Sequence, residues 1–166
     1  PLATSRLASE QMLEDMIVRD PRILSSEWML IGRQERTAFG GVIDLLALAP
    51  DGSLVLIELK RDKTPRDIVA QALDYASWVE GLQAEHIAQI FQRFAPGANL
   101  NQAFKQKFGL ELDEDTLNMS HEIVIVAAEL DAATERIITY LNDKDIAINA
   151  VFFQVFQNGA DQLLSR

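Results

Sequence analysis

The feature that most constrains this chain is a pair of apolar runs bent about a short turn. Val42 to Ala49 and Ser53 to Arg61 flank Pro50-Asp51-Gly52. Runs of this length, rich in Val, Ile and Leu, predict two strands. Pro50 starts a type I turn and Gly52 takes its left-handed position, which predicts a three-residue hairpin loop. That loop sets Ala49 against Ser53 and thereby fixes the register of the pair. Counting back, Asp44 falls opposite Glu58, and Lys60, two residues further on, points to the same face. One face then holds Val42, Asp44, Leu46, Leu48, Leu54, Leu56, Glu58 and Lys60, and the other holds Ile43, Leu45, Ala47, Ala49, Val55, Ile57, Leu59 and Arg61. Both faces are apolar through most of their length, as in strands covered on two sides. A slip of one residue would move Asp44 to the other face.

Two carboxylates set directly opposite each other, with Cβ atoms about 5 Å apart, repel. One lysine cannot neutralise both. Either a raised pKa or a cation must offset the repulsion. Hard divalent ions such as Mg²⁺ or Mn²⁺ suit carboxylate oxygens and need few protein ligands. An ion held by Asp44 and Glu58 would polarise a phosphoryl group and acidify a water. Lys60 could then orient or deprotonate that water, or stabilise developing charge. The competing reading of the same three residues is a closed structural Asp–Lys–Glu cluster with no reaction.

The flanking sequence supplies the rest of an α/β sandwich with a mixed central sheet. Ser9 to Arg19 has the spacing of an amphipathic helix capped by Ser9 and ended by Asp20-Pro21. Trp28 to Arg36 predicts a first strand. Thr64-Pro65-Arg66-Asp67 predicts a helix start, with Thr64 as N-cap, running to about Glu80 and stopped by Gly81. Residues 83–108 predict one or two helices interrupted at Pro96-Gly97, and Glu111 to Asp115 a loop. Glu122 to Glu129 predicts a buried strand, Ala132 to Leu141 a helix and Ile146 to Phe156 a last strand.

At 166 residues the chain suits one domain, and its start at Pro1 rather than Met fits a piece of a longer protein. There is no cysteine, hence no thiolate nucleophile and no cysteine zinc site. With no bilayer-length apolar run and no secretory leader, the expectation is a cytoplasmic protein away from membranes. The net charge of −10 argues against a general nucleic-acid coat protein, which would be basic. It does not exclude a nuclease, where a bound cation changes the local field.

Ile43-Asp44, thirteen intervening residues and then Glu58-Leu59-Lys60 resemble the bipartite motif of the PD-(D/E)XK nuclease superfamily. Ile43 stands where the motif's name has Pro. Within that group the chain is most similar to NucS-related endonuclease domains. The similar stretches are Ile31-Gly32-Arg33-Gln34, Gly41-Val42-Ile43-Asp44 and Ala70-Gln71-Ala72-Leu73-Asp74-Tyr75. The resemblance implies a restriction-endonuclease-like three-layer α/β/α sandwich with a central mixed β-sheet. It implies Asp44 and Glu58 as ligands of Mg²⁺ (or Mn²⁺) and Lys60 as the catalytic lysine. Gln71 and Tyr75 match a Gln-x-x-x-Tyr motif of a RecB-like subset. Gln71 would position the water, the lysine or a phosphate, and Tyr75 would either touch nucleic acid or pack in the core. Members often add a carboxylate from the first helix, here Glu14, with Glu10 in reserve.

Lys60, Arg61, Lys63 and Arg66 concentrate positive charge beside these acids, and Arg33 and Arg36 lie on the preceding strand. They form a candidate nucleic-acid contact, with a solvated connection as the plainer reading of each residue alone. His86 and His121 lack metal-ligand spacing and read as structural or surface residues. Trp28 and Trp78 read as core or rim aromatics. The sequence therefore points to a DNA endonuclease or exonuclease in repair, restriction or defence. Its DNA could be branched or single-stranded, and a homodimer would reach both strands. The alternatives are an inactive nuclease-fold module for nucleic-acid or protein binding, and an oligomerisation domain.

Overall fold

The structure is a computed structural model that describes residues 3–64, 66–158 and 161–166. Within those ranges it describes the side chains of all but residues 3–5, 63, 64, 158, 162 and 163. A central sheet contains β2 (Met29–Arg36), β3 (Val42–Leu48), β4 (Leu54–Thr64), β5 (His121–Leu130) and β6 (Ile148–Phe152), side by side in that order. β2, β3 and β4 are antiparallel neighbours, whereas β4–β5 and β5–β6 are parallel. The sheet is mixed, as expected. A smaller sheet joins β1 (Ala3–Ser5), β7 (Gln154–Asn158) and β8 (Asp161–Ser165), with β7 in the middle.

Each parallel pair needs a crossover. The crossover from β4 to β5 carries α2 (Asp67–Val79), α3 (Ala84–Phe94) and α4 (Leu100–Phe108), and the one from β5 to β6 carries α5 (Ala132–Asn142). Both step the same way across the sheet, so right-handed crossovers put all four helices on one face. Side chains from these helices and from Leu46, Leu48, Leu54 and Leu56 form the larger core there. The opposite face carries α1 (Glu10–Arg19) and the small sheet, packed on Leu45, Ala47, Val55, Ile57 and Leu59. Among the described residues, no helix is long and apolar enough to cross a membrane.

Local chemistry explains the elements nearest the site. Ser9 Oγ accepts the Met12 N–H at 3.1 Å, which starts α1, and Leu13 and Ile17 are fully buried against the sheet. In the hairpin, Ala49 N–H donates to Ser53 O and Gly52 N–H to Ala49 O, both at 3.0 Å, with Gly52 at φ +85°. Leu48 pairs with Leu54 and Leu45 with Ile57, which is the register the loop predicts.

Three sequence expectations need correction. Thr64 is the last residue of β4 rather than a helix cap, and α2 starts after Arg66 with no side-chain capping bond. Pairing with β5 explains this: after a bulge between Lys60 and Lys63 the ladder resumes, and Thr64 pairs with Leu130. The Thr64 side chain and Pro65 lie outside the described residues. The last strand is two strands. Phe152 is exposed and Phe153 is buried in the smaller core, so the chain leaves the main sheet there without any turn residue. Finally, Ile43 packs in the larger core and Leu45 in the smaller one. Strict alternation therefore fails across Asp44.

Gly41, just before β3, lies against the Tyr75 ring of α2, and a Cβ there would fall 2.1 Å from Tyr75 Cε1. Gly41→Ala is therefore expected to cost about 1–3 kcal/mol by denaturant unfolding. In the double variant with Tyr75→Ala, the loss should be smaller than the sum of the two single losses. Strict additivity would show that glycine and ring do not depend on each other.

Candidate active site

Main-chain pairing between β3 and β4 ends at Leu45 and Ile57. The same count puts Asp44 opposite Glu58, and there side chains replace the ladder. Asp44 N–H donates to Glu58 Oε1 at 3.3 Å, and Leu59 N–H donates to Asp44 Oδ2 at 2.9 Å. Each carboxylate is thus held by the main chain of the other's strand. Asp44 is half-buried, whereas Glu58, on the central strand, is only 3% exposed.

Glu58 is the group this arrangement perturbs most. Burial and, after it, the nearby negative charge of Asp44 push its pKa from the ordinary 4.5 up to about 9. Sharing a proton with the Asp44 carboxylate acts the same way. The Asp44 N–H and the positive charge of Lys60 pull in the opposite direction and do not prevail. Lys60 is half-buried and makes no hydrogen bond or ion pair among the described residues, so its ammonium is available to a ligand.

A second carboxylate system adjoins this pair. Glu14, on the buried face of α1, is 3% exposed. Arg33 Nε donates to Glu14 Oε1 and Arg33 Nη2 to Asp15 Oδ1. Gln34 Nε2 donates to Glu14 Oε2 at 2.7 Å and to Asp44 Oδ1 at 3.3 Å. Glu14 is therefore one amide away from Asp44. Among the described residues, no three acidic or histidine side chains are gathered closely enough to form a preformed cation cage. The donor set here is two adjacent carboxylates beside a free ammonium. That set fits a hard divalent ion that keeps several of its waters. The exposed Glu10 lies in the first turn of α1.

The remaining candidate residues fall into two groups. Tyr75 is 5% exposed, and its hydroxyl accepts from Gln71 Nε2 at 2.7 Å and from Val42 N–H at 3.4 Å. It ties α2 to the start of β3 and has almost no surface left for nucleic acid, so the core reading is the one the structure supports. Arg33 is engaged by Glu14 and Asp15. Arg61 donates to the Ala8 carbonyl and pairs with Asp62 at 3.2 Å. Arg36 and Arg66 are exposed, and the Lys63 side chain lies outside the described residues. His86 is structural: its Nδ1 accepts the Gln83 N–H at 3.1 Å and helps cap α3. A cleft of about 490 Å³, lined by residues including Arg36, Phe39, Trp78 and Arg93, contains neither carboxylate nor Lys60. The reading from sequence missed Gln34 as a site residue. It sits at φ +49° inside a strand, and nothing in its residue type announces that conformation.

The fold is similar to about half of each of two solved structures. It is similar to the crystal structure of a repair endonuclease from Pyrococcus abyssi, with a TM-score of 0.51, 18% identity and coverage of 90% of this chain and 50% of that one. It is also similar to an EndoMS–dsDNA2 complex, with a TM-score of 0.52, 17% identity and coverage of 89% and 47%. The chain thus spans about half the length of the solved structures it matches. Residues 9–93, just over half of the chain, match the endonuclease NucS C-terminal domain family, and the chain belongs to that family. No curated protein matches the sequence.

The displaced pKa of Glu58 makes stability depend on pH. Above about pH 4.5 the unfolded chain releases this proton, while the folded chain keeps it to about pH 9. Folding takes up a proton in that window, so the contribution of Glu58 falls as pH rises through it and is level on either side. Glu58→Gln, measured without divalent ions, is expected to flatten the decline in unfolding free energy between about pH 5 and pH 8. Parallel curves for the two proteins would contradict this placement of Glu58.

Proposed function

We propose that this domain is a metal-dependent nuclease that hydrolyses phosphodiester bonds in DNA on a restriction-endonuclease-like PD-(D/E)XK fold. The observation that carries the reading is the Asp44–Glu58 pair at the point where β3 and β4 part, with the unpaired Lys60 beside it. Membership of the NucS C-terminal family supports it. Asp44 and Glu58 would hold Mg²⁺ or Mn²⁺, and this ion supplies positive charge toward the scissile phosphate. Lys60 orients the attacking water and stabilises negative charge that develops on the phosphate oxygens. Glu14 supports Asp44 through Gln34, and Gln71 holds the Tyr75 hydroxyl that anchors the start of β3. Arg66 and Arg36, which make no ion pair among the described residues, would contact the phosphate backbone, joined by Arg61 where phosphate replaces its Asp62 partner. The reaction serves DNA repair or a related defence against foreign DNA, and two copies of the domain would reach both strands.

Incubation of double-stranded, branched and single-stranded DNA with Mg²⁺ or Mn²⁺ is expected to give cleavage. Asp44→Ala, Glu58→Ala and Lys60→Ala should each reduce it by at least about a hundredfold. Cleavage that survives all three places the chemistry elsewhere. If no substrate is cut but DNA is still bound, the domain is a binding module.

The basic patch has a separate test. Arg61→Glu and Arg66→Glu should each weaken DNA binding and lower the slope of log affinity against log salt by about one. An unchanged slope in both variants removes the patch from the interface.

A further inference from the structure

We infer that Gln34 is a positioning residue: its side-chain amide, aimed by a left-handed main chain, sets the Asp44 carboxylate and links it to Glu14. The inference rests on the reading of Asp44 and Glu58 as cation ligands. Arg33 pairs with Leu45 and Glu35 with Ile43, so Gln34 lies opposite Asp44 between β2 and β3. Its φ of +49° is a conformation that a strand residue bearing a long side chain rarely adopts. Such a conformation persists only where surrounding contacts over-determine it, and those places cluster at functional sites. The contacts here are the two bonds from Nε2, to Glu14 Oε2 and Asp44 Oδ1.

The residue type suits this task. A glutamine amide carries two N–H donors and no charge. It can therefore hold two carboxylates without cancelling the negative charge that a cation needs. Lysine or arginine would neutralise the acids, and asparagine is one methylene too short. Asp44 then has Oδ1 tethered by Gln34 and Oδ2 by the Leu59 N–H, which fixes the carboxylate plane beside Glu58. Arg33, the neighbouring residue, holds the other oxygen of Glu14.

Two variants separate positioning from folding. Gln34→Gly removes the amide and relieves the left-handed strain. Gln34→Asn keeps an amide on a residue that tolerates this backbone but withdraws it from the carboxylates. Both are expected to melt at or above the wild-type temperature. Both should bind Mn²⁺, titrated alone by calorimetry into the full chain, at least tenfold more weakly. On DNA, kcat should fall with little change in KM, because Gln34 touches the carboxylates rather than the substrate. Asp44→Ala is the control and should abolish Mn²⁺ binding. If Asp44→Ala binds Mn²⁺ as the wild type does, the cation reading fails and this inference falls with it. If Asp44→Ala loses binding while both Gln34 variants retain full affinity, the inference alone is overturned. Lower melting temperatures in both Gln34 variants would make Gln34 a residue of the fold and would also overturn it.

Discussion

Glu58 sits on the central strand of a sheet covered on both faces, directly opposite another acid. Its neighbours on the strand, Ile57 and Leu59, are 0% and 2% exposed, and the faces above and below are closed by α2–α5 and by α1 with the small sheet. An ionised carboxylate in such a place carries a large desolvation penalty. A second carboxylate beside it adds repulsion. The arrangement persists because main-chain N–H groups hold both side chains and Glu58 keeps its proton well above the usual range. On the proposed function, a divalent ion would replace that proton as the positive partner. Apolar packing thus sets two carboxyl groups together where only one of them ionises readily.

The parts of this site that depend on local rules could be read from the chain. Pro50-Asp51-Gly52 admits few turn geometries, and the one it adopts places Asp44 against Glu58 by counting alone. Ser9 and the apolar spacing of Leu13 and Ile17 likewise mark α1, which delivers Glu14 to the sheet. The parts set by long-range contact were not legible. Alternation predicts that Ile43 and Leu45 share a face, yet Ile43 joins the larger core and Leu45 the smaller. The change of side coincides with Asp44, where pairing with β4 gives way to side-chain bonds. Thr64-Pro65 carries a strong local helix-start signal, and strand pairing with β5 overrides it. Phe152 and Phe153 read as one continuous apolar run, although they belong to opposite sides of a break between two sheets.

The distribution of charge bears on how an acidic domain could act on a polyanion. Many of its cations are committed to nearby acids: Arg33 to Glu14 and Asp15, Arg93 to Glu35, Arg22 to Asp20, and Lys105 to Glu111. Cations engaged in this way offer little to a phosphate. Lys60, Arg36 and Arg66 make no ion pair among the described residues, and Lys60 and Arg66 lie on the segment that runs from the carboxylate pair into α2. The potential that matters to a phosphodiester is therefore local. A net charge of −10 opposes general affinity for a polyanion, and the unpaired Lys60 beside the acidic pair is a local exception to that field. On the proposed function, a domain built this way would gain little from non-specific adhesion and would rely on the geometry of one small site.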